Sequence, residues 1–254
     1  MKATFLGTGT SQGVPIIACN CDVCLSTNSK DKRLRSSILI ESNTTTFIID
    51  TGPDFRYQML RANVQKLDAV VFTHEHKDHI AGLDDIRAFN YKQQAPINVY
   101  ADANVQLALH REFYYIFSDK KYPGVPLINL HTVEQNKFTI GNINLTPIQV
   151  IHYKLPVLGF RINNFTYITD AKTVTETERQ KIKGSKILVV NALQKEKHIS
   201  HFTFTEAIQF AQEMEAETTY FTHISHNLGK HFDVEQELPP NIRLAYDGLQ
   251  LEIY

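Results

Sequence analysis

The 254-residue sequence has no apolar run approaching the roughly 18 residues that a bilayer-spanning helix requires, so no membrane span is expected. Its first residues, MKATFLGTGTSQG, contain no long apolar stretch, which argues against a secretory signal. There is no low-complexity segment, no repeat of fixed period and no Pro/Ser-rich linker, so a single domain over residues 1–254 is the expectation. Charge of one sign is also lacking. Lys and Arg number 26 against 27 Asp and Glu, and the net charge of −1 argues against a protein that lives off bulk nucleic-acid electrostatics, while leaving room for a local basic groove. Cysteine is scarce, and all three residues, Cys19, Cys21 and Cys24, fall within six positions. Three thiols cannot all pair with one another, and spacing this close reads as metal binding rather than a disulfide framework. A cytoplasmic protein is the expectation.

What is present is a globular composition, 43% hydrophobic and 21% charged. Short apolar or alternating runs read as strands, among them Ala3–Leu6, Ser37–Glu41, Thr46–Asp50, Leu67–Thr73, Ile97–Ala101, Leu145–Ile151, Thr166–Thr169, Lys186–Asn191 and Thr219–Thr222. Helical patterns lie between several of them, over Pro53–Arg61, Asp102–Phe113 and Thr203–Glu215. The last has an apolar stripe of Phe204, Ala207, Ile208, Ala211 and Met214, and Thr203 with Glu206 fits a capping box. Strands interspersed with helices suggest sheets packed together with helices outside. Residues 110–135, rich in aromatics and then in Pro and Gly, read as a pinned loop, a lid or a homodimer contact.

The most informative segment is His74-Glu75-His76-Lys77-Asp78-His79, directly after the strand pattern that begins at Leu67. Three imidazoles and a carboxylate so close together suit divalent ions of the Zn, Fe and Ni kind. An extended backbone points His74 and His76 the same way, and Asp78 and His79 can address a second point where the chain turns. Later strand patterns end in His152, Asp170 and His223. Strand ends of packed sheets share an edge, where such residues converge.

The order HxHxDH, then His, Asp and His, resembles the metallo-β-lactamase superfamily over nearly the whole chain. The resemblance implies an α+β fold, a four-layer αβ/βα sandwich with a binuclear site at one edge. By matching position, His74, His76 and His152 would hold one metal and Asp78, His79 and His223 the other, with Asp170 bridging. A water between metals ~3.5–4 Å apart is then the expected nucleophile. The start LGTGTSQGVPIIACNCDVC, the pair His223 and His226 and the ending LAYDGLQLEIY are similar to the branch that contains the phosphoribosyl cyclic phosphodiesterases, near the transfer-RNA 3′-processing nucleases. That branch implies a structural zinc on Cys19, Cys21, Cys24 and His226, and a general-acid role for His201. The catalytic ions are left open as Zn, Mn or Fe, because His/Asp sets accept several.

The expected activity is hydrolysis of a small, cyclic phosphodiester, with Asp78 orienting the water and His201 protonating the leaving oxygen. The partner is then a small-molecule substrate rather than a polyanion. An accessory role in cofactor biosynthesis, like that of the pyrroloquinoline-quinone B proteins, or transfer-RNA processing are the alternatives. His198 reads as a loop histidine and Arg87 as an ion-pair partner of Asp84. The glycine-rich run Gly7–Gly13 reads as a tight turn near the metals.

Overall fold

A computed structural model describes residues 1–254. Chain segments of strongly β-branched and aromatic composition form fourteen strands in two seven-stranded sheets. The first sheet contains β1 (Lys2–Gly7), β2 (Ser37–Glu41), β3 (Thr46–Ile49), β4 (Ala69–Val71), β5 (Ile97–Ala101) and β6 (Ile128–Thr132). The second contains β7 (Phe138–Ile140), β8 (Ile143–His152), β9 (Leu155–Ile162), β10 (Phe165–Tyr167), β11 (Ile187–Asn191), β12 (Thr218–Thr222) and β13 (Ile242–Leu244). The last strand, β14 (Gln250–Glu252), returns to the edge of the first sheet beside β1.

Both sheets are apolar on both faces, as strands buried on two sides must be. In the first sheet Phe5, Ile38, Ile40, Phe47 and Ile49 point inward against Leu145, Phe160, Tyr167 and Val189 of the second. Their neighbours Leu39, Ile48 and Val70 point outward, onto Phe55 and Met59 of α1 (Phe55–Arg61). That outer layer also holds α2 (Lys77–Ile80), α3 (Arg87–Gln93), α4 (Ala103–Glu112) and α5 (Tyr114–Phe117). The second sheet is covered by α6 (Glu176–Ile182), α7 (Phe204–Met214) and α8 (His231–Gln236). The four layers expected from the sequence are present. The Thr203–Glu206 capping box of α7 forms, and its apolar stripe packs on Leu188, Val190 and Phe221.

Several elements differ from the expectation. The strand read over Leu67–Thr73 narrows to Ala69–Val71, and the last residues before His74 become irregular backbone held by Asp50. Residues 110–135 hold the end of α4, the short α5 and the edge strand β6. Strand β9 is not visible in the sequence pattern: Pro156 and Gly159 read as turn signals, yet the strand pairs with β8 and β10 on its two sides. Gly159 is required there, because a Cβ would stand 2.8 Å from the Tyr167 carbonyl oxygen.

Strands β3 to β6 run parallel to one another, and so do β10 to β13. Their carboxyl ends therefore open on a shared edge of the sandwich, the place where α/β sheets hold ligands. Two direct ties close that edge across the sheets. The Leu158 N–H donates to the Thr73 carbonyl at 3.0 Å, and Ile224 pairs with Thr8 and Thr10 on either side of Gly9.

Candidate metal centre

The edge begins with Asp50, the residue after β3. Its carboxylate accepts from the Thr73 N–H at 2.9 Å and the Thr73 hydroxyl at 2.8 Å, and from His79 Nδ1 at 2.8 Å. Because the Thr73 hydroxyl donates to Asp50, its lone pair is free to accept from His74 Nδ1 at 3.0 Å. One carboxylate thus orients two imidazoles and leaves the Nε2 atom of each facing inward. The same logic recurs on the other side. His152 Nδ1 donates to the Ser200 carbonyl at 2.9 Å. The Ser36 hydroxyl donates to Gly9 O and accepts from His223 Nδ1 at 3.2 Å.

Four imidazoles are fixed by their Nδ1 atoms, which selects the tautomer whose Nε2 lone pair is available. The buried Nε2 atoms of His74 and His79 have no hydrogen-bond partner in the protein. A pair of orphaned, buried nitrogens costs stability unless another ligand satisfies them. Carboxylates stand close by without meeting hydrogen-bond geometry at His79: its Nε2 lies 3.1 Å from Asp78 and 3.4 Å from Asp170, and His223 Nε2 lies 3.2 Å from Asp170 Oδ1. The His76 ring lies 4.5 Å from that of His74 and 5.2 Å from that of His152. All seven residues named from the sequence thus stand in hydrogen-bond or ligand range of, or in ring contact with, another of the set, and Asp170 lies between His79 and His223.

The charge balance points the same way. Burial pushes the pKa of His74 well down, that of His223 to about 4, and that of His152 below its usual value. These three are neutral and able to ligate. Burial would raise Asp170 and Asp78, but the surrounding histidines hold both below the usual carboxylate range, so both are ionised. Burial also opposes protonation of His79, yet Asp78, Asp170 and Asp50 together lift its pKa well above normal. A donor set of neutral imidazoles and ionised carboxylates short of positive charge fits divalent cations.

The backbone carries strain at the same edge. Asp50, Asp170 and His223 have φ of 67°, 55° and 54°, a left-handed region that non-glycine residues enter only at a sharp turn. Gly52 lets the chain after Asp50 lie against the segment His74–His79: a Cβ there would collide with the Asp78 carbonyl oxygen.

His201 is inside this cluster. Its Nε2 is 3.0 Å from Asp170 Oδ1, and its Nδ1 lies 3.1 Å from the Ser200 hydroxyl and 3.3 Å from His198 Nδ1. His198 therefore faces the cluster through His201. Arg87 pairs with Asp84 at 3.3 Å. In the glycine-rich run, the Thr8 N–H donates to Asp247 and the Thr10 hydroxyl lies 3.3 Å from His223 Nε2.

A second cluster stands on a separate excursion. Residues 15–32 leave the first sheet and return at a neck where Val14 and Arg33 exchange both backbone hydrogen bonds. Within it the sulfurs of Cys19, Cys21 and Cys24 lie 3.3, 3.3 and 3.6 Å from a single atom, His226 Nδ1. The ligand atoms all lie within 4.8 Å of one another, as a tetrahedral set of three sulfurs and one nitrogen requires. The Cys24 N–H and His226 draw the exposed Cys21 thiol down to about 6, while burial lifts Cys24 to about 11.

Sequence reasoning missed Asp50, Thr73 and Ser36. Asp50 carried a usable signal, a carboxylate at a strand end just before Thr-Gly, which is the same kind of position that singled out Asp170. Ser36 and Thr73 carried none, because their role exists only once the histidines have been brought to them.

Residues 45–224 match the model of the beta-lactamase superfamily domain. The crystal structure of a new diphosphatase from the PhnP family superposes with a TM-score of 0.94 at 36% identity, covering 100% of this chain and 98% of that one. Zinc-bound PqqB from Methylobacterium extorquens shares the fold, with a TM-score of 0.80 at 20% identity over the whole of both chains. Among curated proteins, the octanoyltransferase of Porphyromonas gingivalis is 37% identical over 98% of this chain and 51% of its own length. Ribonuclease Z of an Exiguobacterium species is 26% identical over 64% of this chain and 49% of its own length. The chain spans about half the length of the curated relatives it matches. It belongs to the beta-lactamase superfamily, in the branch of the PhnP family.

Proposed function

We propose that the chain is one metal-dependent hydrolase domain, over residues 1–254, acting on a small phosphodiester, a cyclic one above all. The observation that carries this reading is the set of four histidines whose Nδ1 atoms are tied down, two of which, His79 and His223, bring Nε2 to within 3.1–3.4 Å of Asp78 or Asp170. His74, His76 and His152 would hold one divalent ion and Asp78, His79 and His223 a second, with Asp170 shared between them. Two such ions, Zn, Mn or Fe, would polarise the phosphoryl oxygen and supply a water whose pKa is near neutral. Asp78 orients that water. Asp50 keeps His74 and His79 in the ligating tautomer. His201 would turn its Nε2 proton from Asp170 Oδ1, 3.0 Å away, to the leaving oxygen, while the Ser200 hydroxyl, 3.1 Å from Nδ1, keeps the ring in place. Cys19, Cys21, Cys24 and His226 form a structural zinc site.

The name of the Porphyromonas gingivalis relative favours a second reading, acyl transfer through an activated thiol, and the low pKa of Cys21 is the feature that would serve it. Against it, three sulfurs share one imidazole nitrogen, which is a ligand arrangement and not a nucleophile–base pair. We assign the transferase activity of that protein to the half of it that this chain does not match. Net charge of −1 argues against transfer-RNA processing.

The test is a turnover screen of metal-loaded protein against ribose cyclic phosphates, 2′,3′-cyclic nucleotides and acyl thioesters, with elemental analysis. Turnover of a diester with about three divalent ions per chain is expected. Thioester turnover that is abolished by Cys21→Ser, with no diester turnover, would overturn the reading.

A further inference from the structure

A cleft of about 450 Å³ opens beside the rings of His76 and His152, and its other walls include Tyr153, Lys154 and Ile199. Two of these residues are out of place by ordinary folding rules. Tyr153 is the first residue of the two-residue turn between β8 and β9, and its φ is +60°. Turns of this length put glycine or asparagine where φ is positive, because a Cβ is strained there. A tyrosine kept in that conformation would normally be held by packing, yet Tyr153 is 57% exposed. Ile199 is 70% exposed on the loop that leads to α7. Single exposed apolar residues are ordinary on a protein surface, but these two line one cleft together with the imidazoles of the centre.

Each is also anchored next to a residue that fixes the centre. Tyr153 follows His152, and Ile199 precedes Ser200, whose carbonyl holds His152 Nδ1. Their positions relative to the reacting atoms are therefore set by the hydrogen bonds that set the site itself. The Lys154 ammonium lies 5.4 Å from the centre of the Tyr153 ring, so the cleft has one cation beside its apolar walls.

We propose that Tyr153 and Ile199 form a clamp for a flat aromatic ring carried by the phosphodiester, with Lys154 facing the anionic part of the same molecule. This deepens the phosphodiesterase reading and rests on it: the substrate class is a nucleoside phosphodiester, not a base-free sugar phosphate. A base has two apolar faces, and the clamp offers an aromatic and an aliphatic surface for them. Stacking a base on an aromatic side chain changes binding by about 10–100-fold, and it tolerates any base. Such a clamp selects for the presence of a ring and discriminates weakly among rings. The base can come from a free nucleotide or from an RNA end.

The experiment compares kcat/KM of metal-loaded wild type, Tyr153→Ala, Ile199→Ser and Tyr153→Phe on adenosine 2′,3′-cyclic phosphate, on a base-free ribose cyclic phosphate and on a short RNA ending in the same diester. Wild type is expected to favour the base-bearing diester by about 10–100-fold, chiefly through KM. Tyr153→Ala and Ile199→Ser are each expected to erase about tenfold of that ratio, and Tyr153→Phe, which keeps the ring, to preserve it. Preference for the RNA over the mononucleotide assigns the source to RNA ends; the reverse assigns it to free nucleotides. A wild-type ratio near one, or variants that slow both small diesters equally, would overturn the clamp and leave the phosphodiesterase reading standing. If no diester is turned over, that reading fails, and calorimetry of AMP against ribose 5-phosphate still decides the clamp. Tighter AMP binding that Tyr153→Ala removes upholds it; equal binding of the two overturns it.

Discussion

The His/Asp cluster and the Cys/His cluster use opposite means to bring ligands together. In the first, each of four histidines is held by an outer hydrogen bond, and the acceptors, Asp50, Thr73, Ser36 and the Ser200 carbonyl, come from four different segments. Most of the cluster is buried at a sheet edge. In the second, three of four ligands come from one loop, Cys21 is exposed, and the sulfurs have few partners apart from His226 and two backbone amides. The lesson is that preorganisation follows demand. A site that must hold geometry through a reaction is built on the rigid framework, whereas a tetrahedral thiolate site can be shaped by the ion it binds.

The sharpest way to break this contrast is Asp170→Ala. It removes the carboxylate between His79, His201 and His223, so diester turnover should fall below detection and the ions of the buried cluster should be lost. One zinc per chain should stay on the cysteines. Elemental analysis showing loss of all metal would mean that the two clusters are not independent. Next in size, His201→Ala should lower kcat about 10²–10⁴-fold on a diester with an alkoxide leaving group and keep its metals. On an aryl diester, whose leaving group needs no proton, the loss should be much smaller. Equal losses would leave His201 a positioning residue.

Asp50→Asn tests the outer shell. It keeps shape but weakens the orientation of His74 and His79, and should cost about 10–100-fold in metal affinity or activity, read by chelator competition. No equivalent residue exists for the thiolate cluster, so a comparable penalty from substituting a polar neighbour of the cysteines would erase the contrast. Cys21→Ser should cost stability more than chemistry. At this chain length each kcal/mol lost lowers Tm by roughly 2–4 °C, and a drop of about 5–10 °C with one zinc fewer is expected. Unchanged Tm and zinc would remove the structural role.

The smallest effect concerns the neck of the cysteine excursion. His231 Nδ1 lies 3.1 Å from the buried guanidinium of Arg33, and burial together with Arg33 and Lys30 lowers its pKa to about 4. The unfolded chain takes up this proton near pH 6.5, the folded chain only near 4, so this contribution to stability is whole above pH 6.5 and drains away as pH falls toward 4. His231→Gln should flatten the decline of Tm over that window. Identical slopes for the two proteins would count against it.

The legibility of these regions in the sequence follows from how local each is. His74 to His79 could be read directly because one turn of chain brings four donors to one place. The cysteines could be read for the same reason. Asp50 had the strand-end position of a ligand, but its actual role, orienting two imidazoles, exists only through its bonds to Thr73 and His79, more than twenty residues away. Strand β9 was hidden because Gly159 satisfies a tertiary need, the close approach of Tyr167, that overrides its local preference for turns.

The tie between Ile224 and the segment around Gly9 also bears on the order of folding. Ile224 exchanges backbone hydrogen bonds with Thr8 and Thr10, and Thr8 further binds Asp247, so the first strand meets its partners across more than two hundred residues of sequence. During synthesis the segment His74–His79 is made early and stands without His223 until most of the chain has left the ribosome. Contacts of such long range are paid for in loop closure before they return any stability, and they make a fold slow to complete. The edge that carries the chemistry therefore cannot close before His223 and Ile224 are made, and until then the nascent chain holds a half-set of ligands with no second wall.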